Sequence, residues 1–229
     1  MHDKKVFPSE LAYVLGILAL AVGTALSQRA DFGMSMVVAP AYLLHRKVSQ
    51  FLPAFSFGVA EYAVQAGLLL VLALITRRPK RSYLLSFVTA IIYGLALDLA
   101  VRSLGLLPAP ATADRVACFA AGLLLCATGV AFLFHTYLPP EAYELFVKEL
   151  AAVYGFRIAR VKTIYDCCSC LTGVLLSFAF YGFGRFEGVK LGTVICALVN
   201  GWLIGRVGKA LEAAFVFRDA LPLRDALNR

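Results

Sequence analysis

The sequence predicts an all-α membrane protein: six transmembrane helices arranged as two inverted three-helix repeats, each with a short re-entrant or interfacial helix after its first span. Three observations predict it. The 229-residue chain is 61% hydrophobic and only 16% charged, where soluble domains carry about 25% charged residues. Apolar runs near the length of about 20 residues that a bilayer requires recur six times. The pattern of the first half returns in the second half at a nearly constant spacing.

The first span is read at about 11–28, since Leu11–Ser27 holds no charge. Lys4 and Lys5 before it and Ala25-Leu26-Ser27 at its end mimic a signal peptide. The spans that follow favour a first transmembrane helix. Residues 33–47 are apolar but short and end in His45-Arg46-Lys47. The second span is about 55–76 and the third about 83–104, joined by "RRPKR" (77–81) with four positive charges. The fourth is about 115–137. "PPEAYELFVKELAAVY" (139–154) opens on two prolines, which suit a helix's first turn. Glu141, Glu144 and Lys148 then share one face, with Ala142, Leu145, Phe146 and Val153 on the other. That pattern predicts an amphipathic helix lying in the interface. The fifth and sixth spans are about 165–183 and 190–210. The tail, 211–229, reads as an interfacial or cytoplasmic end.

Charge placement sets the topology. The side that holds both termini carries 15 of the 22 basic residues, the other side 7, so the positive-inside rule puts both termini in the cytoplasm. The net charge of +8 thus follows membrane orientation. No basic face with interleaved aromatics accompanies it, so no nucleic-acid partner is expected. The six cysteines (118, 126, 167, 168, 170 and 196) lie in or beside apolar segments. They read as small buried hydrophobes, not as a secreted disulfide framework.

The repeat is visible in the glycines. Gly16 and Gly23 recur 106 residues later as Gly122 and Gly129, accompanied by Leu18/Leu124, Ala21/Ala127 and Ala25/Ala131. "SFVTAIIYG" (86–94) recurs 107 residues later as "TVICALVNG" (193–201), and Arg78 falls on Arg185. Repeat 1 is then about 11–105 and repeat 2 about 115–210. With three spans each, the second copy must enter the membrane upside down, a recurrent transporter plan with sites near the midplane. "SQRADFGMSMVVAP" (27–40) and "LFHTYLPPEAYEL" (133–145) become equivalent breaks after the first span of each repeat.

Polar groups inside a membrane are costly unless paired and are site candidates for that reason. Gln65, Tyr93 and Asn200 fall near mid-span and form the candidate substrate site. The plainer reading is interhelical glue worth about 0.6 kcal/mol per hydrogen bond. Candidate gate or coupling residues are Gln28, Arg29, Asp31, Glu61, Asp98, His135 and Asp166. Gln28, Arg29 and Asp31 are expected at an outer vestibule. Arg29 is suited to an anion, to pairing with Asp31, or to snorkelling toward headgroups. Glu61 and Asp166 are read near span ends, within reach of water. Asp166 also reads as the cap opening the fifth span, and Asp98 as an i,i+4 partner of Arg102. His135 offers a group that titrates near neutral pH. "CCSC" (167–170) places two thiols at helical i,i+3, without further ligands close by for a soft metal. The sequence shows no metal-ligand motif, phosphate-cradling loop or nucleophile elbow. Asp31-Phe32-Gly33 matches a kinase triplet by chance. No catalytic residue, cofactor or metal is therefore expected.

"LSQRADFGMSMVVAPAYLL" (26–44) and "YGFGRFEGVKLGTVICALVNGWLIG" (181–205) resemble the bacterial YczE/YitT-type integral membrane proteins. The first resembles their polar stretch before a Gly-Ser segment, and the second their glycine pattern at the last hairpin. The resemblance covers about 11–210 and implies a bacterial inner-membrane protein, often assumed to be a transporter. It supplies no substrate and no catalytic residue. After the Gly-Ser segment the family usually continues with Pro and Trp, whereas this chain reads Met34-Ser35-Met36-Val37. The expected function is small-solute transport by alternating access between the repeats. The alternative is a substrate-capture or regulatory subunit acting with a partner protein. The expected partners are the lipid bilayer, a small solute, and either a second copy or a membrane partner subunit.

Overall fold

The apolar runs fold into long helices because a helix satisfies every backbone N–H and C=O within its own segment, as a bilayer requires. The computed structural model describes residues 5–77, 81–108, 110–156 and 158–220. It contains α1 (Ser9–Ala30), α2 (Ala39–Val48), α3 (Phe57–Thr76), α4 (Arg81–Gly105), α5 (Thr112–Phe134), α6 (Ala142–Tyr154), α7 (Ile158–Tyr181) and α8 (Leu191–Ala214). A strand stands at each end, β1 (Lys5–Pro8) and β2 (Phe215–Arg218). All helices except α2 and α6 are long and apolar enough to cross a membrane. They turn leucines outward, among them Leu70, Leu74, Leu84, Leu95, Leu171 and Leu198. A soluble protein rarely exposes so much apolar surface, and lipid is its natural cover.

The centre of the bundle is the pair α1 and α5, which pack most extensively on each other. They cross antiparallel, with Gly16 against Gly129 and Gly23 against Gly122. A Cβ on Gly23 would lie 2.7 Å from the backbone nitrogen of Cys126 and 2.8 Å from Gly122 O. A Cβ on Gly129 would lie 2.7 Å from Gly16 O. Only glycine lets two backbones approach this closely, which is how small residues drive helix association in lipid. The contact is self-complementary across the 106-residue spacing. Leu20 meets Gly129 as Cys126 meets Gly23, and Ser27 meets Gly122 as Leu133 meets Gly16.

The remaining helices flank this seam. α4 lies on α1 and α8 on α5. The short helices cross over: α2 packs on α3 and α7, and α6 on α7, α3 and α4. α6 is therefore packed into the bundle by its apolar face. Ala142, Tyr143, Leu145, Val147 and Ala151 are buried, and the Ala142 N–H donates to Gln65 Oε1 (3.1 Å) at the middle of α3. α2 enters in the same manner, with Ala39 beside Gly173 of α7. Its entry is shaped by Gly33, at φ +111°, where a Cβ would stand 2.7 Å from Thr193 Oγ1.

The two halves differ in how their last two long helices meet. α3 and α4 press together where Gly58 meets the Gly94 carbonyl. α7 and α8 share no comparable face among the described residues. Gly201, 107 residues beyond Gly94, meets nothing within 4 Å.

Several boundaries depart from the sequence reading. α7 begins at Ile158 rather than near 165, because the Lys162–Asp166 pair (3.0 Å, i,i+4) supports two basic turns ahead of the apolar run. α8 extends past 210 to Ala214, and the tail that follows begins with a strand. β2 pairs parallel with β1, Lys5 opposite Phe215 through Pro8 opposite Arg218. Phe7 packs against Phe132, Phe215 and Phe217. This ribbon holds residues 5–8 and 215–218 at the same end of the bundle. Most of the "RRPKR" turn (78–80) and of the tail (221–229) lies outside the described residues.

Replacing Gly23 by Leu forces the central backbones apart and should cost about 1–3 kcal/mol. The expected outcome is a clearly lower unfolding temperature in detergent, while Gly67→Ala, with nothing within 4 Å, leaves it unchanged or raises it.

Candidate functional site

Because α7 and α8 stand apart, a cavity of about 240 Å³ opens beside the α1–α5 seam. Its walls are mostly apolar, including Leu20, Leu123, Val130 and Ile204. Its polar groups come from both halves: Thr24 of α1, Tyr93 of α4, Glu141 and Glu144 beside and within α6, Lys162 and Asp166 of α7, and Asn200 of α8. Tyr93 and Asn200 lie near the middle of their helices, so the cavity reaches mid-depth.

The chain places these groups by breaking at Pro139-Pro140. The carbonyls of both prolines are held: Thr89 Oγ1 donates to Pro139 O (3.1 Å) and Ser86 Oγ to Pro140 O (2.6 Å). Tyr13 and Thr89 share a hydrogen bond of 2.8 Å behind them. Glu141 follows at the N-cap of α6 and is only 7% exposed. Its Oε1 is buried and accepts no hydrogen bond. Burial, with the carboxyls of Glu61 and Glu144 nearby, pushes the Glu141 carboxyl well above the usual carboxylate range. The next residue but one, Tyr143, donates to Glu61 Oε2 (2.9 Å). Across the cavity Lys162 bridges Glu144 (3.5 Å) and Asp166 (3.0 Å). Tyr93 donates to Thr24 Oγ1 (3.0 Å), while the Asn200 Oδ1 is buried without a partner. The site thus presents oxygen acceptors that the protein does not satisfy.

The sequence candidates divide. Tyr93, Asn200 and Asp166 line one cavity. Gln65 does not line it: its side-chain oxygen caps the buried Ala142 N–H, which serves α6 directly. Glu61 is fully buried behind Tyr143 rather than within reach of water, because α6 covers it. Asp166 stands inside α7 rather than at its start, since α7 begins eight residues earlier at Ile158. Asp98 accepts from Ser56 Oγ and from Gly58 N (2.7 Å), and so caps α3 instead of serving only its own helix.

The other gate candidates lie at the two ends. Arg29 donates to Leu104 O (2.6 Å) and Pro108 O, closing the C-terminus of α4. Asp31 ends α1 at φ 53° and pairs with Arg115 (3.1 Å) and Lys190 (2.7 Å), fastening α1 to α5 and α8. The Gln28 Oε1 is buried without a partner. At the opposite end His135 contacts Ala131 O (2.7 Å) and Glu212 (3.3 Å) and packs on Phe217. Cys167 and Cys168 are exposed.

Glu141, Glu144 and Lys162 escaped the sequence reading. Glu141 and Glu144 had the spacing of a wetted helix face. The signal that marks them is the proline pair, which ends one helix and delivers a carboxylate at the start of the next.

Six long apolar helices beside a mostly apolar cavity with a few polar groups define a multi-pass α-helical membrane protein. The chain belongs to DUF6198, a family of unknown function, whose model matches residues 7–209. No curated protein and no solved structure matches it.

Tyr143→Phe leaves the buried Glu61 carboxyl without its phenol donor. The expected cost is about 1–3 kcal/mol, read as a lower unfolding temperature than that of Tyr154→Phe, a substitution at an exposed tyrosine.

Proposed function

We propose that this protein is a small-solute transporter that works by alternating access between two inverted repeats, about 11–105 and 115–210. The unequal packing of the two halves carries the reading. In the first half Gly94 lies against Gly58, closing α4 onto α3. In the second half the equivalent Gly201 is open, and the space beside it is the cavity. Two copies of one architecture held in different states are what an alternating-access cycle needs, since exchanging the states moves the opening to the opposite side. The self-complementary α1–α5 seam supplies a fixed axis for that exchange. The membrane in this reading is the bacterial inner membrane with both termini cytoplasmic, in keeping with the charge distribution and with the resemblance to YczE/YitT-type proteins.

The native cysteines Cys126 and Cys196 both line the cavity and provide the test. In a chain whose other cysteines are replaced by serine, a membrane-impermeant maleimide should modify them from either face of sealed vesicles. Modification from one face alone refutes alternating access. Gly201→Leu introduces no backbone clash in the observed state but blocks closure of α8. It should retain the wild-type unfolding temperature and lose reaction from the second face.

A further inference from the structure

The cavity carries an imbalance that its apolar walls cannot hide. Three carboxyls line it, those of Glu141, Glu144 and Asp166, against one ammonium, that of Lys162. Lys162 is taken by Glu144 and Asp166. Glu141 remains, nine-tenths buried, with Oε1 facing no donor. The second orphan in the cavity, Asn200 Oδ1, is also an acceptor. Leaving such groups unmatched is costly, and a ligand rich in N–H donors would match both. The remaining walls are mostly apolar, so the rest of that ligand is apolar. Among the described residues no three His, Cys, Asp or Glu side chains converge at metal-binding spacing, so the lining suits an organic cation better than a metal ion.

We propose that the cavity binds a small organic cation, an ammonium on a short apolar body, with the head on Glu141 and Asn200. This deepens the transport reading by naming the substrate class, and it rests on that reading only for the assignment of the site. Binding is coupled to a proton. The neutral carboxyl of Glu141 releases its proton to water as the ammonium arrives, leaving a carboxylate–ammonium pair. The same carboxyl therefore holds either a proton or the cation, and the two exclude each other. The groups that face it are Glu61 from α3, Tyr93 from α4, Tyr13 from α1, Cys126 from α5, Lys162 and Asp166 from α7, and Tyr143 and Glu144 from its own helix.

Binding is measured by calorimetry on the purified chain in phosphatidylcholine nanodiscs. The probes are phenethylamine, 2-phenylethanol and phenylacetate, which differ chiefly in the head, with n-butylamine as a smaller amine. The amines should bind roughly ten- to a hundredfold more tightly than the alcohol, the range given by one charge-assisted hydrogen bond, and phenylacetate should bind weakest. Phenethylamine affinity should fall as pH is lowered. In Glu141→Gln the preference for amine over alcohol and the pH dependence should both vanish. The head-group and pH series on the wild-type chain stand whether or not that variant folds. Equal affinity for amine and alcohol, tighter binding of phenylacetate, or no binding of either amine overturns the proposal. Exchanging phosphatidylcholine for phosphatidylethanolamine separates the sources of the ammonium: competition assigns it to a lipid head, and unchanged affinity to a free solute. None of these readings requires flux. Failure here with two-sided maleimide reaction intact removes the substrate class alone, and the converse removes alternating access alone.

Discussion

The backbone contact between α1 and α5 is the constraint on which the remainder of this molecule rests. In lipid there is no water to drive apolar surfaces together, so helices adhere through close packing. Here glycines on both helices bring carbonyls of one against the Cα atoms of the other, and any side chain would wedge them apart. Around this seam the flanking helices follow: α4 against α1, α8 against α5, and α2 and α6 each against both α3 and α7. The ends of the seam are fastened differently, by Asp31 with Arg115 and Lys190 at one, and by the aromatic cluster of Phe7, Phe132 and Phe217 at the other.

Against that framework the polar groups divide into those the fold consumes and those it leaves over. Asp98, Gln65 and Arg29 each satisfy backbone groups at helix ends that would otherwise stand unpaired in an apolar medium. Thr89 and Ser86 hold the two proline carbonyls where α5 gives way to α6. Glu141 and Asn200 do neither. Glu141 Oε1 and Asn200 Oδ1 are buried, yet neither receives a hydrogen bond. A membrane interior tolerates such groups rarely, and then for a purpose.

The spans were legible because hydrophobic length is a one-dimensional property, which Leu11–Ser27 displays without ambiguity. The glycine spacing was legible for a similar reason: Gly16, Gly23, Gly122 and Gly129 stand out because two close contacts each need a pair of glycines. What the sequence did not disclose is which residues meet across the bundle. Tyr93 and Asn200 were readable as mid-span groups, and the structure sets them on one cavity. Gln65 had the same depth but faces α6, a difference of rotation about a helix axis that no periodicity in so uniformly apolar a span reveals. Glu141 and Glu144 carried the pattern of a surface helix, and only the crossing of α6 onto α3 and α7 reverses its meaning. The start of α7 was obscured because its first turns are basic, and the Lys162–Asp166 pair that supports them leaves no apolar periodicity.

The parallel ribbon of β1 and β2 has a mechanical meaning. It joins the front of the first half to the back of the second, while the connection from α4 to α5 joins the halves at the opposite end of the bundle. The chain is thereby a closed ring, pinned above and below like a door on two pivots, with the α1–α5 seam running between the pins. Sliding of one half past the other would tear the ribbon or stretch the connector. Rotation about the line through both would disturb neither.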